Sequence, residues 1–156
     1  MKHYVYYNEG VIDLKTNKIF IVFMAVFLVL IVGCSNGINN QGNKIVVEKR
    51  VGDANKYEHL NEISDIEEVQ KVKGILDKIR WENAAASMAY PPHYKFQFED
   101  TNKVQKSNGL IYDLWISPNK DKVELVIEGE SKYVQLNNEK SAELFEIIIG
   151  KNLADG

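Results

Sequence analysis

Tyr94 to Leu136, YKFQFEDTNKVQKSNGLIYDLWISPNKDKVELVIEGESKYVQL, carries the fold. Tyr94, Phe96 and Phe98 alternate with Lys95 and Gln97, the two-residue period of a strand with one buried face. Asn108-Gly109 is a hairpin signal, and it leads into Leu110 to Ser117, LIYDLWIS, the most strand-like stretch of the chain. Pro118-Asn119-Lys120-Asp121 turns the chain into a strand from Lys122 to Glu128. Gly129-Glu130-Ser131 turns it again into Lys132 to Leu136. Consecutive strands joined by short turns predict an antiparallel meander with one face solvated and the other covered.

The flanking segments supply the cover. Upstream, Lys44 to Val51 (KIVVEKRV) is β-branched and stops at Gly52-Asp53, so it reads as a first strand. Residues 54–63 hold Tyr57, Leu60 and Ile63 as their apolar anchors and leave a short second strand open. Ser64-Asp65-Ile66-Glu67 reads as a capping box with the Ser64 hydroxyl as cap. Ile66, Val69, Val72, Leu76 and Ile79 then recur at helical spacing with Ile75 beside them. Glu68, Lys71, Lys73 and Lys78 face out, and the helix is expected over 65–80. Trp81 to His93 (WENAAASMAYPPH) contains Pro91-Pro92 and cannot be one regular element. Downstream, Asn137 or Asn138 caps a last helix with Ala142, Phe145, Ile148 and Ile149 inward and Gly150 closing it. The order β(β)-α-β-β-β-β-α predicts an α+β domain, an antiparallel meander sheet of four to six strands with two helices packed on one face.

The N-terminal segment reads as an address. Ile19 to Val32, IFIVFMAVFLVLIV, is fourteen apolar residues without a charge, preceded by Lys15 and Lys18 and followed by Gly33-Cys34-Ser35. As a helix it would span about 21 Å, short of the roughly 30 Å hydrocarbon core, so a signal-peptide core is the better reading than a permanent span. Ile31-Val32-Gly33-Cys34 matches the bacterial lipobox, in which a cysteine beside small residues takes a diacylglyceryl thioether and the chain is cut before it. An uncleaved signal anchor with Cys34 as a chance thiol is the alternative. Residues 1–13, MKHYVYYNEGVID, hold Glu9, Asp13 and three tyrosines and do not read as a signal n-region, so translation is expected to start near Leu14. The expected organisation is a lipoprotein signal peptide over 1–33, a flexible tether over 34–43, and one small α+β domain over 44–151. Two acyl chains hold a protein stably where one does not, which suits a diacylated Cys34.

With 156 residues, 45% apolar and 26% charged, the chain has room for one ordinary domain and is neither disordered nor repetitive. A formal charge of −3 argues against a nucleic-acid partner. A single cysteine excludes a disulfide scaffold and a CxxC site.

No catalytic motif emerges: the chain lacks G-x-S-x-G, S-x-x-K and a glycine-rich phosphate loop. His59 and His93 stand far apart without a ligand-spaced partner, so neither metal nor cofactor is implied. Asp113 lies mid-strand on the face shared with Ile111 and Trp115. It reads as a general acid in an apolar pocket or, more plainly, as a solvent-face aspartate. The aromatic residues are core and cross-strand pairs first, and a stacking surface second. A thirteen-residue irregular segment in a small domain is longer than usual, and such loops often carry function. Trp81, Tyr90, Pro92, His93, Asp113 and Trp115 are therefore the candidate binding surface.

Four features give the stretch from about 44 to 150 a family resemblance: the Ser64-Asp65-Ile66 helix start, Pro92-x-Tyr94, Tyr112-x-Leu114-Trp115-Ile116, and the amphipathic last helix. On these it resembles the YhfM-like family of small, uncharacterised lipoproteins of Gram-positive bacteria. The family pattern has an aspartate where this chain has His93, so no role of that acid carries over. The resemblance implies a lipid-anchored extracytoplasmic domain and brings no activity with it.

The resulting expectation is a lipoprotein on the extracytoplasmic face of the cell membrane, anchored through diacylglyceryl-Cys34. Its domain is a non-catalytic binding or accessory module, and the partner is an envelope protein, a peptide or a cell-wall component. The alternative is a small cell-envelope hydrolase using Asp113 and His93 across a cleft, which requires the two side chains within hydrogen-bond reach.

Overall fold

A computed structural model of the chain describes residues 40–52, 55–84, 88–102 and 109–156. All belong to one unit, residues 38–156. Cys34, the apolar run and the lipobox lie outside the described residues, as do the Asn108 turn position and residues 53–54 and 85–87.

Among the described residues seven strands and two helices follow one another: β1 (Lys44–Arg50), β2 (Tyr57–Ile63), α1 (Ile66–Asp77), β3 (Glu82–Asn83), β4 (Tyr94–Glu99), β5 (Ile111–Ile116), β6 (Val123–Ile127), β7 (Lys132–Gln135) and α2 (Asn138–Ile149). A 3-10 turn, Leu153–Asp155, ends the chain. The architecture is α+β with a wholly antiparallel sheet in the order β2-β1-β4-β5-β6-β7-β3.

The strand count of four to six is thus too low, and the plain meander holds only from β4 to β7. Hairpin β1–β2 joins the other side of β4, while α1 carries the chain from the β2 edge to the opposite edge. There Glu82 and Asn83 pair with Tyr133 and Lys132, and Ala84 N–H donates to Ser131 O over 3.1 Å. A two-residue strand has no period to read. It forms because the backbone leaving α1 must satisfy its polar groups where it passes the β7 edge.

The expected burial of β4 is seen: Tyr94, Phe96 and Phe98 point under the helices with Tyr112. Phe96 stacks on Tyr112 with ring centroids 4.8 Å apart, and Tyr94 meets Phe145 of α2 edge to face at 5.8 Å. Val69, Val72 and Leu76 of α1 and Leu144, Phe145 and Ile148 of α2 close the same core. Each such side chain contributes about 1.5–3 kcal/mol by leaving water.

Five local expectations are corrected. Helix α1 is capped by Asp65, not Ser64: its carboxylate accepts from the N–H groups of Glu67 and Glu68 at 2.8 and 3.1 Å. The helix is also shorter than 65–80, and Ile66, expected inward, is 67% exposed in its first turn. In α2, capped by Asn137, Ser141 takes the inward place expected of Ala142. Its Oγ accepts from the Val123 N–H over 2.9 Å and so completes the start of β6. Leu60, expected as an anchor of β2, is the extra residue of a bulge opposite Val47 and Glu48 and stays exposed. A bulge on an edge strand bends it away from foreign strands.

Asn40 to Asn43, read from the sequence as tether, are held against the domain. Tyr112 donates its hydroxyl to Asn40 Oδ1, Lys73 Nζ donates to Gly42 O over 2.6 Å, and Asn43 bonds Thr101. Lys73, expected to face solvent, lies along this segment 5.5 Å from the Phe98 ring centroid. A Cβ on Gly42 would meet the Glu99 backbone at 2.7 Å, so glycine is required where this segment passes β4.

Candidate functional site

The face of the sheet without helices carries the candidate site. Cross-strand register sets Glu48, Lys95, Asp113, Val126, Tyr133 and Glu82 in one row across it, with Trp115 and Glu124 in the next. Residues 88–93 fold back over this face. Three side chains of the sheet hold three successive carbonyls of that segment: Trp115 Nε1 donates to Tyr90 O (2.9 Å), Arg50 to Pro91 O (3.1 Å), and the Tyr57 hydroxyl to Pro92 O (2.9 Å). Pro91 and Pro92 have no N–H to satisfy, so a proline segment tied only by its carbonyls leaves no donor stranded. This cover explains how Trp115, on the nominally open face, is only 5% exposed.

Between the segment and the strands lies a cleft of about 470 Å³, lined among others by Met88, Tyr90, Lys95, Asp113, Trp115 and Glu128. Lys95 is its electrostatic centre. The ammonium lies 3.3 Å from Asp113 Oδ1, 3.5 Å from Glu128 Oε2 and 5.0 Å from the Tyr57 ring centroid. Asp113 Oδ1 is closed to solvent and forms no aligned hydrogen bond among the described residues, so Lys95 serves it as a charge partner. Burial raises the Asp113 carboxyl above its ordinary range against the pull of Lys95. Burial also works against the Lys95 charge, but Asp113 and then Glu128 outweigh it and the ammonium is held above its ordinary range.

Of the six surface residues singled out from sequence, Tyr90, Pro92, Asp113 and Trp115 come together at this cleft. His93 does not join them. Its Nδ1 accepts from the Ile116 N–H over 3.0 Å, and it lines a separate cavity with Lys49, Arg50 and Tyr94. Asp113 and His93 thus hold different partners in different concavities. Trp81 lies elsewhere again, against Tyr112 at 6.1 Å on the edge of the core. Sequence reasoning missed Lys95, Tyr57 and Arg50. Lys95 looked like the polar half of an alternation, and only the β4–β5 register places it opposite Asp113. Among the described residues no group of three or more His, Cys, Asp or Glu side chains is placed to hold a metal, and no helix is long and apolar enough to cross a membrane.

A family model described as YhfM protein matches residues 38–153. No curated protein matches the chain. Among solved structures, a thioesterase-like protein from Clostridium sporogenes ATCC 15579 is similar at 16% identity and a TM-score of 0.47, covering 70% of this chain and 95% of that one.

Proposed function

We propose that this chain, which belongs to the YhfM family, is a lipid-anchored domain on the extracytoplasmic face of the cell membrane that works by binding. The cleft on the helix-free face of its sheet is the contact surface, and the partner is a peptide or protein segment of the envelope. The observation that carries the binding reading is the triple tie of Tyr90, Pro91 and Pro92 to Trp115, Arg50 and Tyr57. It fixes an irregular segment at one distance from the sheet and keeps a cleft open beside a half-buried ion pair, the preorganisation that recognition surfaces need. Asp113 and Glu128 outnumber Lys95 there, so a segment bearing an amine or guanidine suits the cleft.

The anchor reading is supported by the lipobox Ile31-Val32-Gly33-Cys34 behind its apolar run. Five residues separate Cys34 from Asn40, whose side chain already holds Tyr112. Such a connection reaches at most about 20 Å, so the domain is displayed close to the bilayer.

Two measurements test the two halves. Intact mass and membrane fractionation of the wild type beside Cys34→Ala should give a membrane-bound chain of residues 34–156 plus a diacylglyceryl group, with the variant uncleaved or released. An unmodified full-length wild type would overturn the anchor. A photo-crosslinking amino acid at position 126 of the full chain in cells should give a discrete adduct with an envelope peptide or protein. Adduct formation unchanged by Asp113→Lys would overturn the cleft as the contact surface.

A further inference from the structure

We infer that Lys95 is a movable stand-in for the ligand of the cleft. The ligand is a primary ammonium on an aliphatic stem, a lysine side chain of the partner, and it takes the place of the Lys95 ammonium between Asp113 and Glu128 while Lys95 crosses to Glu48. This deepens the binding reading of the cleft and rests on it.

The two carboxylates are set for a cation that they hold only loosely. Lys95 Nζ stands 3.3 Å from Asp113 Oδ1 and 3.5 Å from Glu128 Oε2, both beyond the roughly 2.7–2.9 Å of a well-formed charge-assisted bond. Asp113 Oδ1 is closed to solvent and yet has no aligned donor among the described residues. Asp113 from β5 and Glu128 just past β6 converge on one point, which suits a compact ammonium with three donors. A planar guanidinium is matched instead by both oxygens of a single carboxylate. Met88, Pro92, Trp115 and Val126 line the same cleft and offer apolar walls to the methylenes of a stem.

Lys95 has a second carboxylate within its reach. The register sets it opposite Asp113 on β5 and opposite Glu48 on β1, all on the helix-free face. Glu48 is exposed, forms no ion pair among the described residues and lies outside the lining of the cleft. His59, on the far side of Glu48, is turned to Glu62 at 3.5 Å and does not claim it. The Tyr57 ring, 5.0 Å from the Lys95 ammonium, gives the cation a π face outside the carboxylate pair. A ligand ammonium entering beside an unmoved Lys95 would meet a like charge, so entry and the crossing of Lys95 are one exchange.

The test uses the full chain in uncharged maltoside micelles, with Nα-acetyl-lysine amide as probe and its arginine and norleucine counterparts beside it. The readout is the pair of indole N–H resonances. Trp115, which donates to Tyr90 O at the cleft wall, should shift saturably with the lysine probe, less with arginine and not with norleucine. Trp81, against Tyr112, should stay put. Lys95→Met should tighten lysine binding about tenfold, because the internal competitor is gone. Glu48→Gln should weaken it about two- to threefold by removing the place to which Lys95 withdraws, and should have no effect in the Lys95→Met background. Weaker binding in a folded Lys95→Met, or an unchanged affinity in Glu48→Gln, would overturn the stand-in and leave the cleft as a contact surface; if Lys95→Met is too unstable to measure, Glu48→Gln decides alone. An arginine probe that binds as tightly as lysine would overturn the ammonium. No saturable shift in the wild type or in Lys95→Met would overturn the binding reading of the cleft itself, and the inference with it.

Discussion

Lys95 and Asp113 face each other across the β4–β5 ladder, with ammonium and carboxylate 3.3 Å apart and both side chains less than one-fifth exposed. The Asp113 carboxyl is raised by burial in spite of this partner, so among the described residues it is Lys95 that sustains its charge. Lys95→Met is expected to cost about 1–3 kcal/mol at pH 7, since it strands a half-buried carboxylate. A group whose folded pKa lies above its unfolded value favours the fold below the unfolded pKa, and that contribution fades as pH rises through the folded pKa. The deficit of Lys95→Met should therefore shrink as pH is lowered from 7 to 4, because the raised Asp113 carboxyl takes up a proton more readily than an ordinary aspartate and then needs no cation. Urea denaturation at the two pH values checks this, and an equal deficit at both would remove Asp113 from the account.

Capping offers a direct contrast between adjacent residues. Asp65→Ala removes the acceptor of the Glu67 and Glu68 N–H groups and should cost about 1 kcal/mol. Ser64→Ala should stay within about 0.5 kcal/mol. The reverse order in thermal or urea unfolding would restore the capping box.

How far the sequence could be read depends on the range over which each feature is decided. The helices and β4 to β7 were legible because apolar period and turn chemistry are local: Phe96 and Leu125 are buried where alternation puts them. Which of two neighbouring serine, aspartate or alanine residues does a job was not legible. Asp65 against Ser64 and Ser141 against Ala142 depend on a few degrees of backbone rotation that no composition encodes. The site was half legible. Tyr90, Pro92, Asp113 and Trp115 were singled out, but Lys95, Tyr57 and Arg50 owe their roles to pairings across 18, 35 and 41 residues. His93 was paired with Asp113 on residue type alone, and the ladder instead turns its ring to Ile116.

Trp115→Phe keeps an aromatic ring but removes the pyrrole half of the indole with its donor to Tyr90 O. The expected loss of stability is about 1–3 kcal/mol, from the lost hydrogen bond and the lost packing of a side chain that is 5% exposed. The more telling readout is local. Amide exchange at Met88, Ala89 and Tyr90 should quicken while β4 and β5 amides keep their protection, because only one of three ties is lost. Faster exchange throughout the sheet would mean that Trp115 holds the core and not the segment.

His93 gives the sharpest dependence on acidity. Its folded pKa lies below the ordinary value, through burial first and the Arg50 charge second, so the native state refuses a proton that the unfolded chain accepts. A depressed basic group withdraws support as pH falls: stability is full above the unfolded value near 6.5 and declines toward the lower folded value. Protonation also ends the acceptance from Ile116 N–H, since both ring nitrogens then carry hydrogen. His93→Asn keeps an acceptor near the Nδ1 position and cannot titrate. Between pH 7 and pH 5 its unfolding midpoint in urea should fall less steeply than that of the wild type, while His59→Gln, at an exposed side chain, should follow the wild type. Parallel slopes for wild type and His93→Asn would place the acid sensitivity elsewhere and leave the Ile116 bond as a packing contact only.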